Sequence, residues 1–228
     1  MWLLFDKFDN CRGFERRVAP MNIPKPTIER LPLYMRCLAR LRDSGVEVVS
    51  SEELGRLLAI TSVQIRKDLA YFGEFGRRGV GYDVEELLNQ ITSILGADRP
   101  RKLALIGAGH LGQALANYDG FREQGFNITA VFDSDRSKVG GALAGQTIMH
   151  TEQMAQVLGK SEIELAIVAV PGPAAQKVAD VLVQAGIKAI WNFAPIRLEV
   201  PHTVEVRQEN LIVGLMALSY HLAQEGKG

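Results

Sequence analysis

A short apolar run that ends in glycines constrains this chain more than any other feature. Residues 103–106 are apolar, Gly107-x-Gly109-x-x-Gly112 follows at once, and Leu111, Ala114 and Leu115 then recur at helical spacing. A strand that enters a helix through such a loop leaves unpaired backbone N–H groups at the helix's positive end, where a pyrophosphate can sit. Gly107 would allow the tight turn, Gly109 the close approach of phosphate, and Gly112 the packing of helix on strand. Glycines recur in many βα turns, so the motif needs its context. A second strand, 127–132, supplies it by ending in Asp133, 21 residues beyond Gly112. A carboxylate there accepts hydrogen bonds from the adenosine ribose hydroxyls. Asp133 and Asp135, with no arginine directly after the strand, favour NAD(H) over its 2′-phosphorylated form; Arg136 and Lys138 are the nearest cations.

The rest of the composition excludes more than it selects. The 228 residues suffice for one large or two small domains, and the formal net charge is zero, so any nucleic-acid surface must be local. Cys11 and Cys37 form no metal-binding or redox spacing and fit a reducing cytoplasm. No apolar run approaches the roughly 20 residues of a membrane-spanning helix. Residues 1–21 carry no regular pattern and are expected to be a disordered arm or an overcalled start.

Residues 22–97 read as a helical domain. The spacing predicts a helix over 27–43 with Leu31, Tyr34, Leu38 and Leu41 on one face. Ser50-x-x-Glu53 and Thr61-x-x-Gln64 are capping boxes for two more helices, joined by a tight turn, which suggests a helix-turn-helix. In the third helix Ile65, Leu69 and Phe72 should face the core and leave Gln64, Arg66, Lys67, Ala70 and Tyr71 outward or flanking. Cations and an amide on an exposed helix are what reading a major groove needs, although a solvated polar face is the plainer account of one such helix. The glycine-rich stretch 73–82, with Arg77 and Arg78 adjacent, suits a β-hairpin wing whose arginine enters a minor groove. The candidate DNA contacts are therefore Ser62, Gln64, Arg66, Lys67, Tyr71, Arg77, Arg78, Gly79 and Tyr82. Asp83-x-x-Glu86 caps a further helix that Gly96 stops, and the domain boundary is expected in the linker that follows.

From residue 98 to 208 the pattern is of alternating strands and helices, as a doubly wound parallel sheet requires. Residues 164–170 form a near-continuous apolar strand, Pro171-Gly-Pro173 breaks it, and 174–185 and 188–193 read as helix and strand. Segments after strand C-termini line the crevice of such sheets. The candidate cofactor contacts are thus Gly107, Ala108, Gly109, His110, Leu111, Gly112 and Asp133, with Val170, Pro171, Asn192, Phe193 and Ala194 toward the nicotinamide. The tail, 209–228, is apolar nearly all round from Leu211 to Leu222, so its helix must be buried on most sides, and a second subunit is the usual way for a terminal helix.

Ile65-Arg-Lys-Asp-Leu-Ala-Tyr-Phe-Gly, Gly76-Arg-Arg-Gly-Val-Gly-Tyr82 and Gly107-Ala-Gly-His-Leu-Gly112 together resemble the Rex family of bacterial redox-sensing transcriptional repressors. The likeness spans about residues 22 to 223 and includes Ile23-Pro-Lys-Pro, Leu31-Pro-Leu-Tyr and Asn192-Phe-Ala-Pro195. It implies a winged helix-turn-helix domain, a Rossmann NAD(H)-binding domain and a last helix exchanged between the subunits of a homodimer. It also implies binding to an inverted-repeat operator when NAD⁺ prevails and release when NADH binds. The exchanged helix would reach the nicotinamide, which adds Leu211 to the candidate contacts. A family contact between an acidic residue and an arginine maps onto Asn210 and Arg36, with Tyr118 nearby; Asn210 lacks the charge, so this interdomain switch would differ here.

Two other classes use the same fingerprint. A small NAD-dependent dehydrogenase needs a proton-transfer group, yet His110, His150, His202 and His221 form no readable catalytic arrangement, and no residues remain for a substrate domain. A CoA-type ligand in the same crevice is the third reading. No catalytic or metal-ligating set is expected.

Overall fold

The computed structural model describes residues 23–76 and 79–225. The expectations for residues 1–21 and for Arg77 and Arg78 lie outside the described residues. The chain divides into two compact units, Met1–Gly96 and Ala97–Gly228.

The first unit begins with α1 (Lys25–Asp43), two residues earlier than its spacing suggested, because Pro26 suits the first turn of a helix. Pro32 lies inside α1 without ending it. There follow β1 (Val48–Val49), α2 (Ser51–Leu58), α3 (Ser62–Ala70), β2 (Tyr82–Asp83) and α4 (Val84–Ile94). All three capping residues act: Ser50, Thr61 and Asp83 accept the backbone N–H of Glu53, Gln64 and Glu86 at 3.0, 3.2 and 2.8 Å. The turn from α2 to α3 is possible because residue 55 is glycine; a Cβ there would stand 2.5 Å from the Ile60 carbonyl oxygen. Leu31, Tyr34 and Leu38 of α1 pack with Leu54, Ile65, Leu69, Val84, Leu87 and Ile91 in one core.

The described residues of the stretch 73–82 form no strand pair with one another. β2 instead runs antiparallel to β1, with Val48 opposite Asp83 and Val49 opposite Tyr82. Gly73, Gly76, Gly79 and Gly81 all have positive φ, and no hairpin ladder forms among the described residues of this stretch. The C-terminal end of the wing stretch is thus paired with a strand from before α2.

The second unit contains β3 (Arg101–Ile106), α5 (His110–Ala116), α6 (Asp119–Glu123), β4 (Phe126–Asp133), β5 (Ala142–Leu143), β6 (Gln146–His150), α7 (Met154–Leu158), β7 (Leu165–Val168), α8 (Gly172–Gln184), β8 (Ala189–Asn192), β9 (Glu205–Gln208) and α9 (Leu211–Glu225). The sheet order is β5-β6-β4-β3-β7-β8-β9, parallel throughout except for β5 at the edge. Without β5 this is the six-strand doubly wound order, and chain direction reverses across the sheet between β3 and β7. Strand alternation loads both faces: Ala104 and Ile106 join the core under α7 and α8, while Leu103 and Leu105 join the core on the other side.

α9 departs from this pattern. Leu211, Ile212, Val213, Leu215, Met216, Leu218, Tyr220 and Leu222 are all more than half exposed. Its apolar surface finds no cover among the described residues.

Candidate cofactor cleft and nucleic-acid interface

The loop between β3 and α5 is held in a shape that only glycine allows at two of its three positions. Gly107 has φ +102°, and a Cβ on it would lie 2.4 Å from the Ala169 carbonyl oxygen; one on Gly112 would lie 1.8 Å from the Gly107 carbonyl oxygen. Gly109 has nothing within 4 Å of its Cβ position, so the backbone there is open to an incoming group. His110 is exposed, Leu111 is half-buried and Ala108 is buried beneath the loop.

Asp133, at the end of β4, is 7% exposed and fully engaged. Its Oδ2 accepts the Ala108 N–H at 2.7 Å and the Lys138 ammonium at 3.1 Å; Oδ1 accepts the Asp135 N–H at 2.8 Å. Burial pushes the carboxyl up, but the Asp135 and Ala108 amides and then the Lys138 ammonium outweigh it and hold it below the usual carboxylate range. The carboxylate expected to meet a ribose therefore also clamps the glycine loop, and a ribose hydroxyl at Oδ2 must displace Lys138.

A cleft of ≈ 630 Å³ opens over the ends of β3, β4 and β7, the switch point of the sheet. Gly107, Gly109, Asp133, Val170 and Pro171 line it, so five of the expected residues come together. Ser134, Lys138, Met154, Lys177 and Val178 line it too, and none of these was a candidate contact. Ala174, Lys177, Val178 and Val181 recur at helical spacing along α8, a stripe that could have been read as the cleft wall.

Asn192, Phe193 and Ala194 stand outside that lining. Asn192 is fully buried; its Oδ1 accepts the Ala194 N–H at 3.0 Å, and its Nδ2 donates to Ile196 O at 2.9 Å and Gln208 Oε1 at 2.7 Å. With these bonds made, it pins the turn after β8 and has little left for a ligand. Ala194 is 1% exposed, and Phe193 packs on Trp191 with ring centroids 4.7 Å apart.

The entry to α9 is anchored to β8. The Trp191 indole N–H donates to Glu209 Oε1 at 3.2 Å, and Arg207 Nε donates to the same oxygen at 3.0 Å. Asn210 is the N-cap of α9, its Oδ1 accepting the Ile212 N–H at 3.2 Å, so its side chain is already employed. Tyr118 and Leu211 are exposed, as is Arg36 in the first unit.

On α3, Arg66 and Lys67 are exposed while Ser62 and Tyr71 are half-buried. Arg66 Nη1 donates to Ser51 Oγ at 2.6 Å and to Glu52 Oε1 at 3.1 Å. Gln64 is not free: its Nε2 donates to Asp68 Oδ1 at 2.9 Å. Gly79 is exposed. Tyr82 is 7% exposed and belongs to the core, where pairing of β2 with β1 turns it inward. The sequence shows Asp68 only as part of the α3 motif; in the structure it lies on the buried side of α3 and accepts from Thr27, Arg30, Tyr34 and Gln64. Among the described residues no group of three or more His, Cys, Asp or Glu is placed to hold a metal, and no helix is long and apolar enough to cross a membrane.

Two family descriptions match the chain: a CoA binding domain over residues 98–196 and a putative DNA-binding protein N-terminus over residues 22–70. The redox-sensing transcriptional repressor Rex of Chloroflexus aurantiacus is 49% identical over 202 residues, which is 89% of this chain and 95% of that protein. RSP, a Rex-family repressor, has been solved with β-NAD⁺ and operator DNA; that structure is 42% identical, covers 90% of this chain and 94% of its own, and has a TM-score of 0.86. RSP in complex with β-NADH is 40% identical, with 90% and 97% covered and a TM-score of 0.81.

Proposed function

The chain belongs to the Rex family of redox-sensing transcriptional repressors, and from that premise we propose that it acts as a homodimer that grips an inverted-repeat operator when NAD⁺ prevails and releases it when NADH binds. The observation that carries this reading is the pairing, in one chain, of a helix-turn-helix that presents Arg66 and Lys67 with a glycine cradle at a sheet's switch point. The cleft residues fit a dinucleotide. The pyrophosphate would lie over Gly109, where no atom fills the Cβ position, against the first-turn N–H groups of α5. Asp133 would take the adenosine ribose, with Lys138 yielding its place. Val170 and Pro171 would face the nicotinamide half.

DNA contact is assigned to Arg66 and Lys67 of α3 and to Arg77 and Arg78 beside Gly79. Such contacts divide into phosphate anchors and base readers. Two-fold operators call for two-fold proteins, and α9 supports a dimer here: a helix with eight large apolar side chains in solvent is stable in water only when a second surface covers it. Exchange of α9 between subunits, and its approach to the nicotinamide through Leu211, is the form we assign to that cover. The protein works in the cytoplasm, where the operator is.

The relatives are named as repressors, not as enzymes. The test is a titration of a labelled duplex complex with NADH, NAD⁺ or CoA, read by fluorescence anisotropy and by absorbance of the reduced nicotinamide. NADH should release the duplex without being consumed, NAD⁺ should not release it, and CoA should have no effect. Steady NADH oxidation, or release by CoA alone, would exclude this function.

A further inference from the structure

On the reading of α3 as the DNA-facing helix, we propose that Glu52 is a specificity-determining residue: with Ser51 it holds the Arg66 guanidinium in place for reading a base and away from the phosphate backbone. The three side chains form a closed triangle. Arg66 Nη1 donates to Ser51 Oγ at 2.6 Å and to Glu52 Oε1 at 3.1 Å, and Ser51 Oγ donates to Glu52 Oε2 at 3.2 Å. Ser51 is buried, so the triangle pivots on a fixed point at the start of α2. Arg66 Nε and Nη2 make no hydrogen bond among the described residues, which leaves one edge of the guanidinium as a two-donor fork. That edge suits the paired O6 and N7 acceptors of a guanine. Arg66 lines a groove of ≈ 880 Å³ together with the start of α2, the end of α3 and residues 73–76 and 79–82.

Stability does not account for this carboxylate. Glu52 is 71% exposed and Arg66 49%, and ion pairs so exposed contribute little. Its position matters for binding, because a bare anion on a DNA-facing surface repels phosphate. Lys67, the next residue, forms no ion pair among the described residues and can swing to the backbone. Tethering Arg66 therefore separates the two cations by role: Lys67 anchors any duplex, and Arg66 rewards only the correct base. A tethered arginine also loses less rotamer freedom when it binds.

The test uses the full chain with two duplexes: one selected by the wild-type protein from a randomised inverted-repeat library, and a scramble of the same composition. Affinities by fluorescence anisotropy across a salt series are compared for wild type, Glu52→Gln, Arg66→Ala and the double variant. In Glu52→Gln the ratio of selected to scrambled affinity should fall about tenfold, mainly through tighter scrambled binding, and the salt slope on the scramble should steepen by about one phosphate contact. In the Arg66→Ala background the same change should alter the ratio by less than about twofold. An unchanged ratio in Glu52→Gln, or an undiminished effect without Arg66, overturns the proposal while leaving α3 as the DNA helix. Unchanged affinity of Arg66→Ala for both duplexes overturns the placement of Arg66 at DNA and the proposal with it.

Discussion

The hydroxyl of Tyr34 donates to the fully buried Asp68 carboxylate at 2.6 Å and so joins α1 to α3. The same carboxylate accepts Arg30 Nε at 2.6 Å and Nη2 at 2.7 Å, Thr27 Oγ1 at 3.0 Å and Gln64 Nε2 at 2.9 Å. A buried anion with every lone pair taken is tolerated, whereas loss of one partner strands the others. Asp68→Ala should cost the first unit about 3–5 kcal/mol and Tyr34→Phe roughly 1.5–3 kcal/mol in urea unfolding. A midpoint for Asp68→Ala equal to that of wild type would show that the cluster does not hold α3 in place.

The same site sets an acid limit. Burial raises the Asp68 carboxyl, but Arg30, Tyr34, Gln64 and Thr27 outweigh it and hold it at about 2, against an ordinary 3.8. Its folded value is depressed, so its contribution is complete above about pH 4 and is lost as pH falls through about 2. At 1.36 kcal/mol per unit the loss is on the order of 2 kcal/mol. Stability measured by urea titration from pH 5 to pH 2 should drop by about this much more in wild type than in Asp68→Asn.

The sequence carried strand and helix periodicity well and long-range polar pairing poorly. Residues 103–106 and the glycines after them read correctly because an apolar run ending in a required turn has few alternatives. Ile65 and Leu69 were placed inward by spacing, yet Asp68 lies beside Leu69 on the same buried side, and a carboxylate there demands a partner. Three of its four partners lie 34 to 41 residues away, beyond any window of periodicity. The strand partner of Tyr82 was invisible for the same reason: Val48 and Val49 carry no mark of where they pair. The switch-point cleft was legible from the βα order, but the bonding of Asn192 was not, since position after a strand does not reveal that its amide bonds to Gln208.

The part Asn192 plays in that turn can be checked directly. Asn192→Ala removes the bonds that pin Ala194, Ile196 and Gln208 and should cost the second unit about 2 kcal/mol. Calorimetric NADH affinity should fall by less than about tenfold, because no bond to the cofactor is lost. Abolished NADH binding with unchanged stability would place Asn192 in the contact set.

Asp133 should behave in the opposite way. Asp133→Ala frees the Ala108 N–H that shapes the glycine loop and also removes the ribose acceptor. NADH affinity should fall by about a hundredfold or more, corresponding to loss of roughly 3 kcal/mol for two charge-assisted bonds, while duplex affinity without cofactor stays within about threefold. Lys138→Met, which leaves Asp133 its loop bonds but removes the competing ammonium, should not lower NADH affinity. A tenfold loss in Lys138→Met would mean that the ammonium itself holds the cofactor.

The last prediction concerns α9. Neither core of the second unit draws on residues beyond Val206, so deletion of residues 211–228 should leave that unit folded, with its unfolding midpoint nearly unchanged. What the deletion removes is the apolar surface of Leu211, Leu215, Leu218 and Leu222. Light scattering should then find a monomer. A monomer meets one half-site instead of two, so its salt slope on an operator should fall to about half, and its affinity should approach that for random duplex. NADH can release DNA only by binding the released arrangement more tightly, and a ligand with equal affinity for both shifts nothing. If α9 is the element that distinguishes the two arrangements, the truncated chain should bind its residual duplex equally with NADH or NAD⁺. In the full chain, reciprocity requires operator DNA to weaken NADH binding by the factor by which NADH weakens operator binding. A truncated protein that stays dimeric and still releases DNA on NADH would remove α9 from both roles.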